Sequence, residues 1–117
     1  MNSVCFTGRV ANDLILKLAD EKKVINFSLA VERKGVRDKF NKKIADFIPC
    51  EIWGAKAEAL LKHSGKGKLL SVKGELHLNP YIKDNVKKIK TTVIVNETDI
   101  LQWNESNEDD IPYPGKG

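Results

Sequence analysis

At 117 residues the chain is long enough for one domain with a real core and too short for two. Its 41% hydrophobic and 31% charged residues are the balance of a soluble globular protein, and no apolar run approaches the roughly 20 residues that span a bilayer. The net charge of +4 is unevenly spread, with 19 Lys and Arg against 12 acids in residues 1–104 and 1 against 4 in residues 105–117. A basic body attracts polyanions, and an acidic tail competes with them or recruits a basic protein.

The N-terminal residues Met1 to Arg9 lack the basic segment, apolar run and cleavage site of a secretory signal, so a cytoplasmic protein with two reduced thiols is expected. Cys5 and Cys50 both lie in apolar strand patterns, where a thiol behaves as a small hydrophobe. Residues 2–10 alternate as a strand, with Val4, Phe6 and Val10 on one side and Cys5, Thr7 and Arg9 on the other. Gly8 falls on the inner side, where glycine marks a bend or a close backbone approach. Leu14 to Leu18 forms a short second stretch whose pairing partner is open. From Val24 to Arg33 the alternation is cleanest, with Ile25, Phe27, Leu29 and Val31 inward and Asn26, Ser28, Ala30 and Glu32 outward.

A basic loop or long hairpin follows, in which Arg33, Lys34, Arg37, Lys39, Lys42 and Lys43 face one acid, Asp38, with Val36 and Phe40 interleaved. Next comes Asp46 to Trp53, the most informative stretch of the chain. Side chains change face at each strand step, so Ile48, Cys50 and Ile52 share one side and Phe47, Pro49, Glu51 and Trp53 the other. Glu51 in the middle of that second side rules it out as core, which leaves two large rings facing outward on a basic chain. Such a pair reads as a stacking platform for the bases of single-stranded DNA.

After Gly54, residues 55–63 have helix propensity, with Ala57, Leu60 and Leu61 on one stripe, and Ser64-Gly65-Lys66-Gly67 stops them. Two or three turns suit a plug for one end of a barrel. Leu69 to Leu78 is the fourth strand, with Leu70, Val72, Leu76 and Leu78 inward, Ser71, Lys73, Glu75 and His77 outward, and Gly74 interrupting the inner face. Pro80 to Lys90 reads as a hairpin arm turning at Asp84-Asn85, carrying Tyr81 and Lys83, Lys87, Lys88 and Lys90. Thr91 to Leu101, rich in β-branched residues, is the closing strand, and Trp103 is expected to pack at the seam. Beyond it the polar, acidic residues 104–117 are expected to be disordered.

Three strands, a short helix and two more strands suit a mainly β fold, the five-stranded OB-fold Greek-key barrel, with its helix between strands three and four. The carrying residues, Asn2 to Val10, Phe27-Ser-Leu-Ala-Val31, Asp46 to Gly54 and Val72-Lys-Gly-Glu-Leu76, resemble the bacterial and phage single-stranded DNA-binding protein family over residues 2–103. The resemblance implies base stacking on Phe47, Trp53 and Tyr81, and a homotetramer. The family's ring in the loop after strand two has no match in place; Phe40, displaced among lysines, takes that role. Phosphates would be neutralised by Arg9, Arg33, Lys34, Arg37, Lys39, Lys42, Lys43, Lys73, Lys83, Lys87 and Lys88. Asp109, Asp110, Ile111, Pro112 and Tyr113 look like the family's acidic tip, which recruits replication and repair proteins, although Pro114 to Gly117 follow it.

These readings give a domain over residues 1–103, a tail over 104–117, and a non-catalytic role in DNA replication, recombination and repair, with no metal, cofactor or membrane partner. An OB-fold primosome adaptor or RNA-binding module is the alternative. A nuclease is disfavoured, since the acids are scattered, His63 and His77 lie on different elements, and no metal-ligand spacing is present.

Overall fold

The computed structural model describes residues 1–104. Along the chain run β1 (Val4–Val10), β2 (Lys17–Ala19), β3 (Lys22–Arg37), β4 (Lys43–Trp53), α1 (Ala55–His63), β5 (Leu69–Lys83) and β6 (Val86–Ile100). Five of these strands close a ring. β1 pairs with β5, β5 with β6, β6 with β4 and β4 with β3, and β3 returns to β1 through Ala30 opposite Arg9 and Leu29 opposite Val10. All seams are antiparallel except β4–β6, which is parallel at Cys50 opposite Val93 and Glu51 opposite Ile94. The short stretch expected at 14–18 becomes β2 at its far end, paired with β3 along the sheet edge, while Leu14 and Leu16 pack against the core instead.

The alternating residues of the five strands fill the ring. Val10, Ile25, Phe27, Leu29, Cys50, Ile52, Leu70, Val72, Val93 and Val95 are buried together. Helix α1 caps this core with Ala57 and Leu60, which stand three residues apart on one line. Leu61, expected on the same stripe, is exposed, because one helical step turns it about 100° from Leu60. Burial of the Leu60 side chain alone contributes about 2 kcal/mol. Gly54 starts the helix at φ 68°, a conformation that would strain any residue with a Cβ, and its carbonyl accepts the amides of Ala57 and Glu58.

Both glycines singled out inside strands sit at close backbone approaches. A Cβ at Gly8 would collide with the carbonyl of Ala30, where β1 passes from β5 to β3, and one at Gly74 would collide with the carbonyl of Ile94. The register of β5 against β6 shifts between Lys73 and Gly74, so the barrel bends there. The expected treatment of the two cysteines divides. Cys50 is in the core, where burial pushes its thiol up to about 12, whereas Cys5 is exposed on the outer side of β1.

Two hairpins outrun the barrel as arms. The β3–β4 arm turns through Asp38 to Lys42, with Asp38 Oδ1 accepting the amides of Phe40 and Lys42 and Asn41 at φ 63°. The β5–β6 arm turns on Asp84 and Asn85 alone, at φ 52° and 61°, the two-residue geometry whose twist matches the strands. Leu78, expected inward, is exposed because β5 has left the barrel by that point. At the C-terminal seam the amides of Leu101 and Gln102 donate to the Leu69 carbonyl, Asn104 donates to the carbonyls of His63 and Ser64, and Trp103 packs edge-on against His63 at 4.8 Å. The candidate tip residues Asp109, Asp110, Ile111, Pro112 and Tyr113 lie outside the described residues.

Candidate nucleic-acid interface

The outward row of β4 is as its alternation demands. Phe47 is 65% exposed and Trp53 36%, while Cys50 and Ile52 between them are buried. Six strand steps, roughly 20 Å, separate the two rings. Trp53 is held by its indole N–H, which donates to Glu51 Oε2 at 2.7 Å, and it borders a shallow apolar hollow with Lys22, Gly54 and Ala55. Glu51 therefore orients one ring while placing a negative charge between the two.

Pairing extends this row in both directions. On one side Ser28 and Ala30 of β3 stand opposite Pro49 and Phe47, and Arg9 of β1 stands opposite Ala30. On the other side the parallel β4–β6 seam brings Thr92 and Lys90 beside Phe47 and Pro49, where they line a groove of about 480 Å³ with Asn26 and Ser28. Farther along β6 and β5, Lys90 is opposite Asn79 and Lys88 opposite Tyr81, which is 44% exposed. Alternation puts Tyr81, Lys83, Lys88, Lys90 and Thr92 on one face of the arm. Phe47 and Tyr81 thus belong to one continuous surface.

The remaining expected cations are distributed differently. Arg33 makes a two-pronged contact with Asp46, at 2.9 Å for the shortest, and Lys43 Nζ lies 3.6 Å from Glu32. Asp46 is held below the usual carboxylate range chiefly by the hydrogen bonds from Arg33, and Arg33 is correspondingly raised. Arg9 Nη1 donates to the Gly67 carbonyl and to Gln102 Oε1, tying β1 to the chain's exit. Lys73 lies in a row with Cys5 and Glu97, away from Phe47. Lys87, opposite Ile82, falls on the reverse face of the arm, which carries Leu78, Ile82 and Ile89. Arg37, Lys39 and Lys42 lie at the turn of the β3–β4 arm and Lys34 in the irregular stretch before it; Lys39 Nζ stands 5.2 Å from the centroid of the exposed Phe40 ring.

Sequence reasoning left Lys90, Asn26, Ser28 and Thr92 out of the site. The signal for Asn26 and Ser28 was their outward parity on the strand before the ring-bearing one; Lys90 and Thr92 needed the β4–β6 seam. Among the described residues no group of three or more His, Cys, Asp or Glu is placed to hold a metal ion, and no helix is long and apolar enough to cross a membrane.

A small closed barrel with rings and lysines along one wall defines a binding module of the OB-fold class rather than a cavity for a small molecule. The model of the single-strand binding protein family matches residues 1–101, and the chain belongs to that family. It is 33% identical over 95% of its length to single-stranded DNA-binding protein 3 of Clostridium acetobutylicum, covering 78% of that protein. It is 36% identical to the single-stranded DNA-binding protein of Clostridium tetani, over 88% of this chain and 72% of that one. A third relative, single-stranded DNA-binding protein 1 of Streptococcus pyogenes, is 36% identical over 86% of this chain and 77% of its own.

Proposed function

We propose that the chain binds single-stranded DNA without catalysis, as the names of its relatives indicate for them. The observation that carries this reading is the shared surface of Phe47 and Tyr81, flanked by Lys83, Lys88 and Lys90, none of which is ion-paired among the described residues. Bases stack on the rings, each worth roughly 1 to 3 kcal/mol, while the lysines neutralise phosphates. Duplex DNA is excluded from this mode because its bases already stack on one another. Trp53 continues the platform along β4, and Phe40 extends it at the arm tip.

The DNA-binding domain spans residues 1–103, copies of it assemble as a homotetramer, and the acidic tail over 104–117 recruits replication and repair proteins through Asp109 to Tyr113. The protein works in the cytoplasm, holding unwound strands open during replication, recombination and repair.

Titration of the intrinsic tryptophan fluorescence with oligo-dT tests the reading. Phe47→Ala should weaken binding about ten- to a hundredfold, following the stacking energy of one base. Unchanged affinity in both Phe47→Ala and Tyr81→Ala would refute the platform. A matched RNA strand bound as tightly as DNA would favour the RNA-binding alternative.

A further inference from the structure

We propose that Glu51 is a positioning residue that also limits how tightly the strand is held, so that glutamine in its place keeps the Trp53 ring oriented and binds single-stranded DNA more tightly. The inference rests on the single-stranded DNA reading above. It concerns the middle of β4, where the wall carries an acid and no cation.

Residues two apart on a strand share a face, so Glu51 stands beside Trp53 on the outer side of β4. Its Oε2 accepts the indole N–H at 2.7 Å. An ionised acceptor makes such a bond roughly twice as strong as a neutral one, and it gives a partly exposed ring a fixed orientation. A ring ordered before DNA arrives loses little freedom when a base stacks on it.

The indole satisfies the carboxylate's hydrogen bond but not its charge. Of the three acids on β3 and β4, Glu32 is ion-paired with Lys43 and Asp46 with Arg33, while Glu51 has no cationic partner among the described residues. Its neighbours across the sheet are Asn26 on β3 and Ile94 on β6, and beyond Ile94 comes another acid, Glu75 on β5. Lys22 borders the hollow at Trp53 but lies on the side away from Glu51, two residues past the Val24–Trp53 pair. The row through Phe47, four strand steps or roughly 13 Å from Glu51, has Lys90 in the same groove. The two rings of β4 therefore stand in opposite local fields.

A strand stacked on both rings passes this carboxylate, which repels any phosphate near it. Two like unit charges roughly 7 Å apart in water oppose each other by an energy worth about threefold in affinity. Salt removes the effect, since the screening length falls from roughly 30 Å at 0.01 M to 3 Å at 1 M.

Glu51→Gln and Glu51→Ala separate the two roles, each made in a Trp103→Phe parent so that Trp53 is the one remaining tryptophan. Labelled oligo-dT is titrated at several salt concentrations, and the time-resolved anisotropy of Trp53 emission is read in the free protein. At low salt Glu51→Gln should bind about threefold more tightly than the parent, and the gain should vanish at high salt. Its ring should stay immobile, because the amide oxygen still accepts the indole N–H. Glu51→Ala should release the ring, seen as a faster anisotropy decay, and should bind several times more weakly than Glu51→Gln at every salt concentration. Equal or weaker binding by Glu51→Gln at low salt would overturn the limit set by the charge, and equal ring mobility and affinity in the two variants would overturn the positioning. Failure of the parent itself to bind oligo-dT would instead overturn the single-stranded DNA reading.

Discussion

The two arms carry the same sign of charge and deploy it differently. Where the β3–β4 arm leaves the barrel its cations are matched by acids, Lys43 by Glu32 on the Phe47 side and Arg33 by Asp46 on the reverse side. Among the described residues, the cations of this arm without an acidic partner are Lys34, in the irregular stretch between Glu32 and Arg37, and Arg37, Lys39 and Lys42 toward the turn. On the Tyr81 face of the β5–β6 arm the lysines at 90, 88 and 83 run from barrel to turn with no acid among them. On the proposed platform, a phosphate backbone leaving Phe47 would find a continuous cationic path along the second arm and an interrupted one along the first. A count of lysines and arginines ranks the arms the other way, since six cations lie between Arg33 and Lys43.

The largest expected effect comes from removing the continuous path. With Lys83, Lys88 and Lys90 all replaced by alanine, the slope of log affinity against log salt should flatten by about 2, at roughly 0.7 for each single-strand phosphate no longer neutralised. The matching double variant Arg33→Ala with Lys43→Ala should change the slope by less than about 0.7, because those charges are already neutralised. Oligo-dT titrations at several salt concentrations compare the two, and equal flattening would abolish the distinction between the arms.

A smaller change should convert one arm toward the other. Asp46→Asn leaves Arg33 without its countercharge, so the β3–β4 arm gains an available cation close to the barrel. The salt slope should steepen by up to about 0.7 and affinity at low salt should rise. Asp46 is on the side of β4 away from Phe47, so stacking is untouched and the change isolates charge. A slope identical to that of the unmodified protein would mean that the DNA does not follow this arm at its base.

Much of this candidate interface was legible in the chain, and the reasons are local. Glu51 between Phe47 and Trp53 forbids a second core on that side of the strand, so alternation alone directs both rings outward. Gly8 and Gly74 mark the two backbone crossings because no other residue lacks a Cβ. Asp84-Asn85, a pair of residues that tolerate positive φ, announces its turn. What escaped depends on register between distant segments. Alternation puts Lys87 and Lys88 on opposite faces, but only the pairing of Tyr81 with Lys88 tells which of the two shares the ring's face. Neutralisation of Arg33 and Lys43 follows from a hairpin whose register shifts between Glu32 and Arg37. The groove exists because Cys50 meets Val93 across a parallel seam, a contact that no local pattern encodes.

The smallest effect follows from acid titration of the Arg33–Asp46 contact. Hydrogen bonds from Arg33 hold the Asp46 carboxyl below its ordinary value, which is about 3.9 in an unfolded chain. A carboxyl depressed by folding contributes stability that is complete above the unfolded value and disappears as pH falls through the folded one. The pairing should therefore persist at pH 5 and give way only below the usual aspartate range. Both groups are solvent-exposed, so the consequence for global stability is slight and the proper readout is local. The Arg33 Nε–H resonance should move as Asp46 takes up its proton, with a midpoint beneath the ordinary aspartate value of about 3.9. In Arg33→Ala the Asp46 carboxyl should return to about 3.9. A midpoint at or above that value in the unmodified protein would mean that the two side chains are apart in solution, and the base of the β3–β4 arm would then be as open to phosphate as the Tyr81 face.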